Sequence, residues 1–90
     1  MTDSDTVALN RLKRIKFRSW HRGMREMDLL MGRFADLNIA KFSEAELDSY
    51  EVVLDYNDPD LYNWLSGRDE IPDIAGRDII IRLKEFTLTR

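Results

Sequence analysis

Apolar residues recur along this chain at intervals of three and four in five successive segments, the period of helices that each bury one face. The first segment covers roughly residues 5–21. It places Leu9, Leu12, Lys16 and Trp20 on one side, with Arg11, Arg14, Arg18 and Arg22 following one another on the opposite side. Gly23 breaks the pattern and is suited to a left-handed cap. The second, over residues 24–37, carries a stripe of Met24, Met27, Leu30, Met31 and Phe34, with Asn38 as its terminator.

Start signals mark the next segments. Ser43-Glu44-Ala45-Glu46 has the form of a capping box, in which the serine hydroxyl and the Glu46 carboxylate satisfy free amides reciprocally. Leu47, Tyr50, Val53 and Leu54 follow as its apolar face. Asp58-Pro59 predicts an N-cap with proline at the first helical position, Leu61, Trp64 and Leu65 inward, and Gly67 as the stop. The fifth segment begins near Pro72-Asp73 and buries Ile79, Ile80, Leu83 and Phe86. Ile79-Ile80-Ile81 is also compatible with a strand, but no second β-segment exists to pair with it. The expected fold is all-α: a compact single-domain bundle of five short helices, joined by short links and packed neighbour on neighbour.

Size and composition narrow this further. Ninety residues make one domain, residues 1–90, with a thin core. A chain of that size hides only about 60% of its unfolded surface. Without cysteine, neither a disulfide framework nor a thiolate metal site is open to it. No apolar run approaches the roughly 20 residues of a membrane span. The acidic start Met1-Thr2-Asp3-Ser4-Asp5 has no apolar signal core behind it, so a bacterial cytoplasmic setting is expected.

A net charge of −3 conceals an uneven distribution. Residues 11–33 hold eight Lys/Arg and two acids, whereas residues 36–73 hold eleven acids and two bases. An electropositive end and an electronegative end are expected, which suits oriented approach to a charged partner. The arginines of the first segment invite comparison with nucleic-acid binders, but an acidic domain lacks their broad positive field. No nucleic-acid partner is expected.

Catalytic constellations are scarce. A lone histidine, His21, does not make a metal site, and it reads as a helix-end residue that favours the dipole. Gly23, Gly32, Gly67 and Gly76 are isolated, at or near helix ends, and form no phosphate cradle or dinucleotide fingerprint. No cofactor, metal or catalytic residue is therefore expected. Asp58 and Asp60 read as helix-start residues rather than an acid–base pair.

What stands out is the stretch from Trp20 to Leu30. Glu26 lies at the edge of the inward methionine stripe, Arg33 sits two turns on, and Leu29 projects outside the buried arc among charged side chains. Periodicity leaves two readings open. Either Gly23 is only a cap and Glu26 only complements the helix dipole, or together they form an exposed contact surface.

Arg22-Gly23-Met24-Arg25-Glu26 is similar to the RGxxE motif of the succinate dehydrogenase flavinylation factors, called SdhE in bacteria, and Met27-Asp28 extends it to RGMxExD. A second block, Asp58-Pro59-Asp60-Leu61-Tyr62-Asn63-Trp64-Leu65, resembles the DxDLxxWL stretch of the same family. The resemblance implies a non-catalytic five-helix assembly factor. Its partner would be the flavoprotein subunit of succinate dehydrogenase, and also that of fumarate reductase, with covalent attachment of FAD promoted there. It also implies that Arg22, Gly23 and Glu26 contact the partner, with Met24 and Asp28 beside them. The competing class is an antitoxin-like or regulatory protein-binding module, whose partner would not be a flavoprotein.

Overall fold

In a computed structural model that describes residues 3–89, with side chains described over residues 6–88, the described residues form five helices and no strand. They are α1 (Asp3–Trp20), α2 (Arg25–Asn38), α3 (Glu44–Leu54), α4 (Asp58–Leu65) and α5 (Arg77–Thr89), with a 3-10 turn at Ile39–Lys41. The molecule measures 46 × 26 × 23 Å. The expected all-α bundle is observed, and the run Ile79-Ile80-Ile81 is helical. The stretch Met1-Thr2-Asp3-Ser4-Asp5 lies outside the described side chains. No helix among the described residues is long and apolar enough to cross a membrane.

The α2 and α3 faces fall where their periodicity puts them. Met27, Leu30, Met31 and Phe34 are buried on α2, and Leu47, Tyr50, Val53 and Leu54 on α3. The capping box is complete: the Glu46 amide donates to Ser43 Oγ at 3.1 Å, and the Ser43 amide donates to Glu46 Oε1 at 2.8 Å. That backbone bond, helped by Arg82 at 2.7 Å, holds the Glu46 carboxyl below its ordinary range.

Helix α1 departs from expectation. Its buried residues are Ile15 and Ser19, with Leu12 half-buried, whereas Leu9 is exposed and Lys16 is not in the core. Small Ser19 is admitted because its hydroxyl donates to the Ile15 carbonyl at 2.7 Å and meets Tyr50 Oη at 2.8 Å. The opposed charge blocks do not form two ends either. Arg11 bonds Glu44, Asp48 and Glu51, and Arg18 bonds Asp55, so the basic face of α1 lies along the acidic face of α3.

The links are not all short. Residues 66–76 run between α4 and α5 without a helix, because α5 begins at Arg77 and not near Pro72. That path lets α5 pack on α2 and α3 as well as on its neighbour α4. Gly76 makes it feasible: φ is +81°, and a Cβ there would stand 2.7 Å from Val53 Cγ2. Gly32 is not a helix-end residue but a mid-helix contact on α2, against the indole of Trp20. Trp64 is half-buried, with its ring edge-on to Tyr56 at 5.7 Å.

Tyr50 joins the helices. Its ring stacks on Phe34 at 5.9 Å, and its hydroxyl oxygen, 2.8 Å from Ser19 Oγ, lies 3.3 Å from the Met31 carbonyl. Burial pushes its pKa from 10.0 up to about 12. Folding therefore keeps this proton on. The stability it lends is complete below the unfolded value and drains as pH rises from 10.0 through about 12, by on the order of 1.4 kcal/mol per unit. Urea midpoints should fall over that alkaline window in the wild type, and Tyr50→Phe should flatten the decline.

Candidate functional site

Helix α1 ends at Trp20 and α2 begins at Arg25, so residues 21–24 form the connector. Gly23 adopts φ +108°, a left-handed conformation that strains any side-chain-bearing residue. A Cβ at Gly23 would clash with nothing, meeting only Asp58 Oδ2 at an ordinary contact distance of 3.9 Å. Met24 is the N-cap of α2, extended at φ −111° and without a side-chain cap bond, and its side chain packs against the core. The amides that Met24 leaves unserved are partly compensated by Glu26 and Asp28, acids in the first turn.

Asp28 turns inward and back. Its Oδ1 accepts from the Arg22 amide and from the Gly23 amide, the latter at 3.2 Å. One carboxylate oxygen thus gathers two successive connector amides and fixes the path of the chain between the helices.

Arg22 is also turned inward, its side chain only 8% exposed. Its Nε donates to Asp58 Oδ1 at 2.8 Å, its Nη2 to the Tyr56 carbonyl at 2.6 Å, and its Nη1 to the Leu54 carbonyl. Leu54 is the last residue of α3, so the guanidinium serves carbonyls that a helix C-terminus leaves without intrahelical partners. The α1–α2 connector is thereby tied to the corner between α3 and α4.

Asp58 is free for this because it is not the cap of α4. The N-cap is Asn57, which accepts from the Asp60 amide at 2.9 Å and donates to Asp60 Oδ2 at 3.0 Å. The cap thus lies one position earlier than expected, with Asn57 and Asp60 bonded to each other, leaving Asp58 in the first turn, buried and facing Arg22. The Asn57-x-x-Asp60 spacing is the signal that could have exposed this.

Glu26 is different from Arg22 and Asp28: it is exposed and has no hydrogen bond or ion pair among the described residues. It stands at the rim of a groove of about 340 Å³ floored by Met27, Leu30 and Leu65 and edged by Tyr62 and Leu88. Tyr62 is 38% and Leu88 77% exposed, which makes that rim apolar. Leu29 is half-buried, not projecting freely as expected. Arg25 and Arg33 are exposed without ion pairs among the described residues. His21, beyond the end of α1, places Nδ1 2.7 Å from the Phe17 carbonyl and stacks its ring on Phe17 at 4.0 Å.

The five motif residues are therefore brought together over one connector and one helical turn, but they present themselves unequally. Gly23 and Glu26 are exposed, Met24 is half-buried, and the polar groups of Arg22 and Asp28 are engaged inside the fold. Geometry of this kind suits recognition by a surface with one free carboxylate, close backbone and an apolar groove.

Known proteins carry similar sequences. The family described as "Flavinator of succinate dehydrogenase" matches residues 13–87. FAD assembly factor SdhE of Acetobacter pasteurianus is 37% identical over 86 residues, 96% of this chain and 78% of that protein. Mitochondrial succinate dehydrogenase assembly factor 2 of Dictyostelium discoideum is 44% identical over 61 residues, 68% of this chain. The chain spans only 43% of that relative's length, and 50% of the homologous factor from Scheffersomyces stipitis. No solved structure matches. With the family match covering the helices from α1 to α5, this chain belongs to the flavinators of succinate dehydrogenase.

Proposed function

We propose that this protein binds the flavoprotein subunit of succinate dehydrogenase, and that of fumarate reductase, in the bacterial cytoplasm and promotes covalent attachment of FAD without a reacting group of its own. The family match over residues 13–87 carries this reading. The docking element is Arg22, Gly23, Met24, Glu26 and Asp28, presented by the single domain of residues 1–90. Exposed Glu26 offers a charge-assisted hydrogen bond to a donor on the partner, and Gly23 allows its backbone to approach closely. Arg22 and Asp28 hold the connector in the shape that Met24 and Glu26 need.

The mechanism is one of positioning. The factor binds best to the flavoprotein conformation in which FAD and its acceptor side chain are aligned, and so raises that population. The shift can be no larger than the factor's differential affinity for the two conformations, about 2.7 kcal/mol for a hundredfold preference.

The test is in-gel flavin fluorescence of the denatured flavoprotein subunit from cells lacking this protein and complemented with variants. Wild type should restore the covalent flavin signal, whereas Glu26→Ala and Gly23→Arg should reduce it roughly tenfold or more. A signal indifferent to the presence of the protein sinks the function. A signal restored by both variants sinks the assignment of the site.

A further inference from the structure

We infer that Asp58 is a positioning residue for the docking element and acts on it through Arg22, so that the two motif blocks of the sequence are one functional unit. The inference rests on the docking role proposed above for residues 22–28. Its physical basis is the burial of both charges, with Arg22 at 8% and Asp58 at 9% exposure, and their 2.8 Å contact across 36 residues of sequence.

A guanidinium carries five N–H donors in a rigid plane. Here that plane is held from three directions, by Asp58, by the Leu54 carbonyl and by the Tyr56 carbonyl. Of these only Asp58 carries charge, and it alone balances the buried cation. Once the carboxylate becomes a neutral amide, the guanidinium gains more from water than from two carbonyls, and the side chain swings out. The Arg22 and Gly23 amides, gathered by Asp28 on the other side, then lose the second of the two anchors that define the connector. Gly23 is held at φ +108° by that pair of anchors, and Met24 and Glu26 follow directly from it.

Asp58 offers a partner little surface of its own. It is 9% exposed, its Oδ1 is turned to Arg22, and the two residues together line a cleft with Phe17, Arg18, His21 and Asn57. Its influence on the docking element therefore passes through Arg22 and the connector.

The test combines binding with a partner-independent readout. Full-length wild type, Asp58→Asn, Arg22→Gln and the double variant are titrated against purified flavoprotein subunit at a temperature where circular dichroism shows each folded. Asp58→Asn should weaken binding roughly tenfold or more, as Arg22→Gln does, and the double should be no weaker than either single. Leu47→Ala, a core truncation at the opposite end of α3, provides a destabilised control that should bind as wild type does. Amide exchange at Arg22 and Gly23 should accelerate in Asp58→Asn while α5 amides keep their protection. If Asp58→Asn does not fold, the charge-free Arg22→Met/Asp58→Leu pair takes its place, and the same amides should exchange faster in it.

Wild-type binding by Asp58→Asn beside a loss in Arg22→Gln would overturn the inference, because Arg22 would then act on the partner directly. A loss in Leu47→Ala equal to that in Asp58→Asn overturns it too, since stability alone would explain the effect. Unchanged exchange at Arg22 and Gly23 overturns it whatever the partner. Failure of wild type to bind overturns the docking reading instead, and the exchange arm still decides whether Asp58 holds the connector.

Discussion

Replacing Arg22 with methionine should cost the fold about 3–5 kcal/mol, because it leaves the Asp58 carboxylate buried without a counter-charge. Asp58→Leu should cost less, because the guanidinium can swing out to water and gives up only its bonds to Asp58, Leu54 and Tyr56. The double variant should recover much of the loss, since neither charge is then buried. Recovery should stop short of wild type because the Leu54 and Tyr56 carbonyls lose their donor. Urea unfolding monitored by circular dichroism reads all three. Single-variant losses well under 1 kcal/mol would mean that the pair behaves like an exposed ion pair, and the buried-node description would have to be abandoned. For a domain of this size each kcal/mol corresponds to about 4–8 °C in thermal midpoint, so the effect should be evident without extrapolation.

The second large effect concerns Gly32. A Cβ built there lies 2.1 Å from Trp20 Cδ2 and within 2.5 Å of two more ring atoms. These are atoms in the body of the indole, so the ring or the helix must move. On helix propensity alone Gly32→Ala should stabilise α2 by about 1 kcal/mol. Against Trp20 it should instead destabilise by about 1–3 kcal/mol, the usual cost of overpacking. In a Trp20→Ala background the obstruction is gone and Gly32→Ala should become stabilising. A reversal of sign across that cycle, read from urea midpoints, identifies close α1–α2 approach as the reason for glycine. The same sign in both backgrounds would refute it.

Which parts of this protein were legible in the sequence follows the range of the forces involved. The apolar faces of α2 and α3 and the Ser43–Glu46 capping box depend on residues three or four apart, and local periodicity reports them directly. The motif Arg22-Gly23-Met24-Arg25-Glu26 was legible as a pattern, and so was the need for Gly23 to cap or turn. Helix α1 was harder. A helix that carries lysines on sides other than its arginine face has no clear amphipathic contrast, and a buried serine is indistinguishable from a surface one until Tyr50 is placed above it. The start of α4 was misplaced by one residue. Asn57 and Asp58 are both good caps in isolation, and the competition is settled by which carboxylate a distant arginine needs.

By itself, the sequence determined helix content, the positions of most turns and the family to which the chain belongs, all carried by short spacings and contiguous motifs. Tertiary structure alone decided how the charges are used. Arg11, Arg18 and Arg22 each find carboxylates 33 to 40 residues away, a distance over which no periodicity operates. It also decided that Gly32 faces an indole, that α5 crosses back over α2 and α3, and that Glu26 stays outside while Arg22 and Asp28 turn in. The reason is physical. Burial of a charged group is settled by whether the folded chain supplies a partner for it, and that partner exists only once remote segments have met.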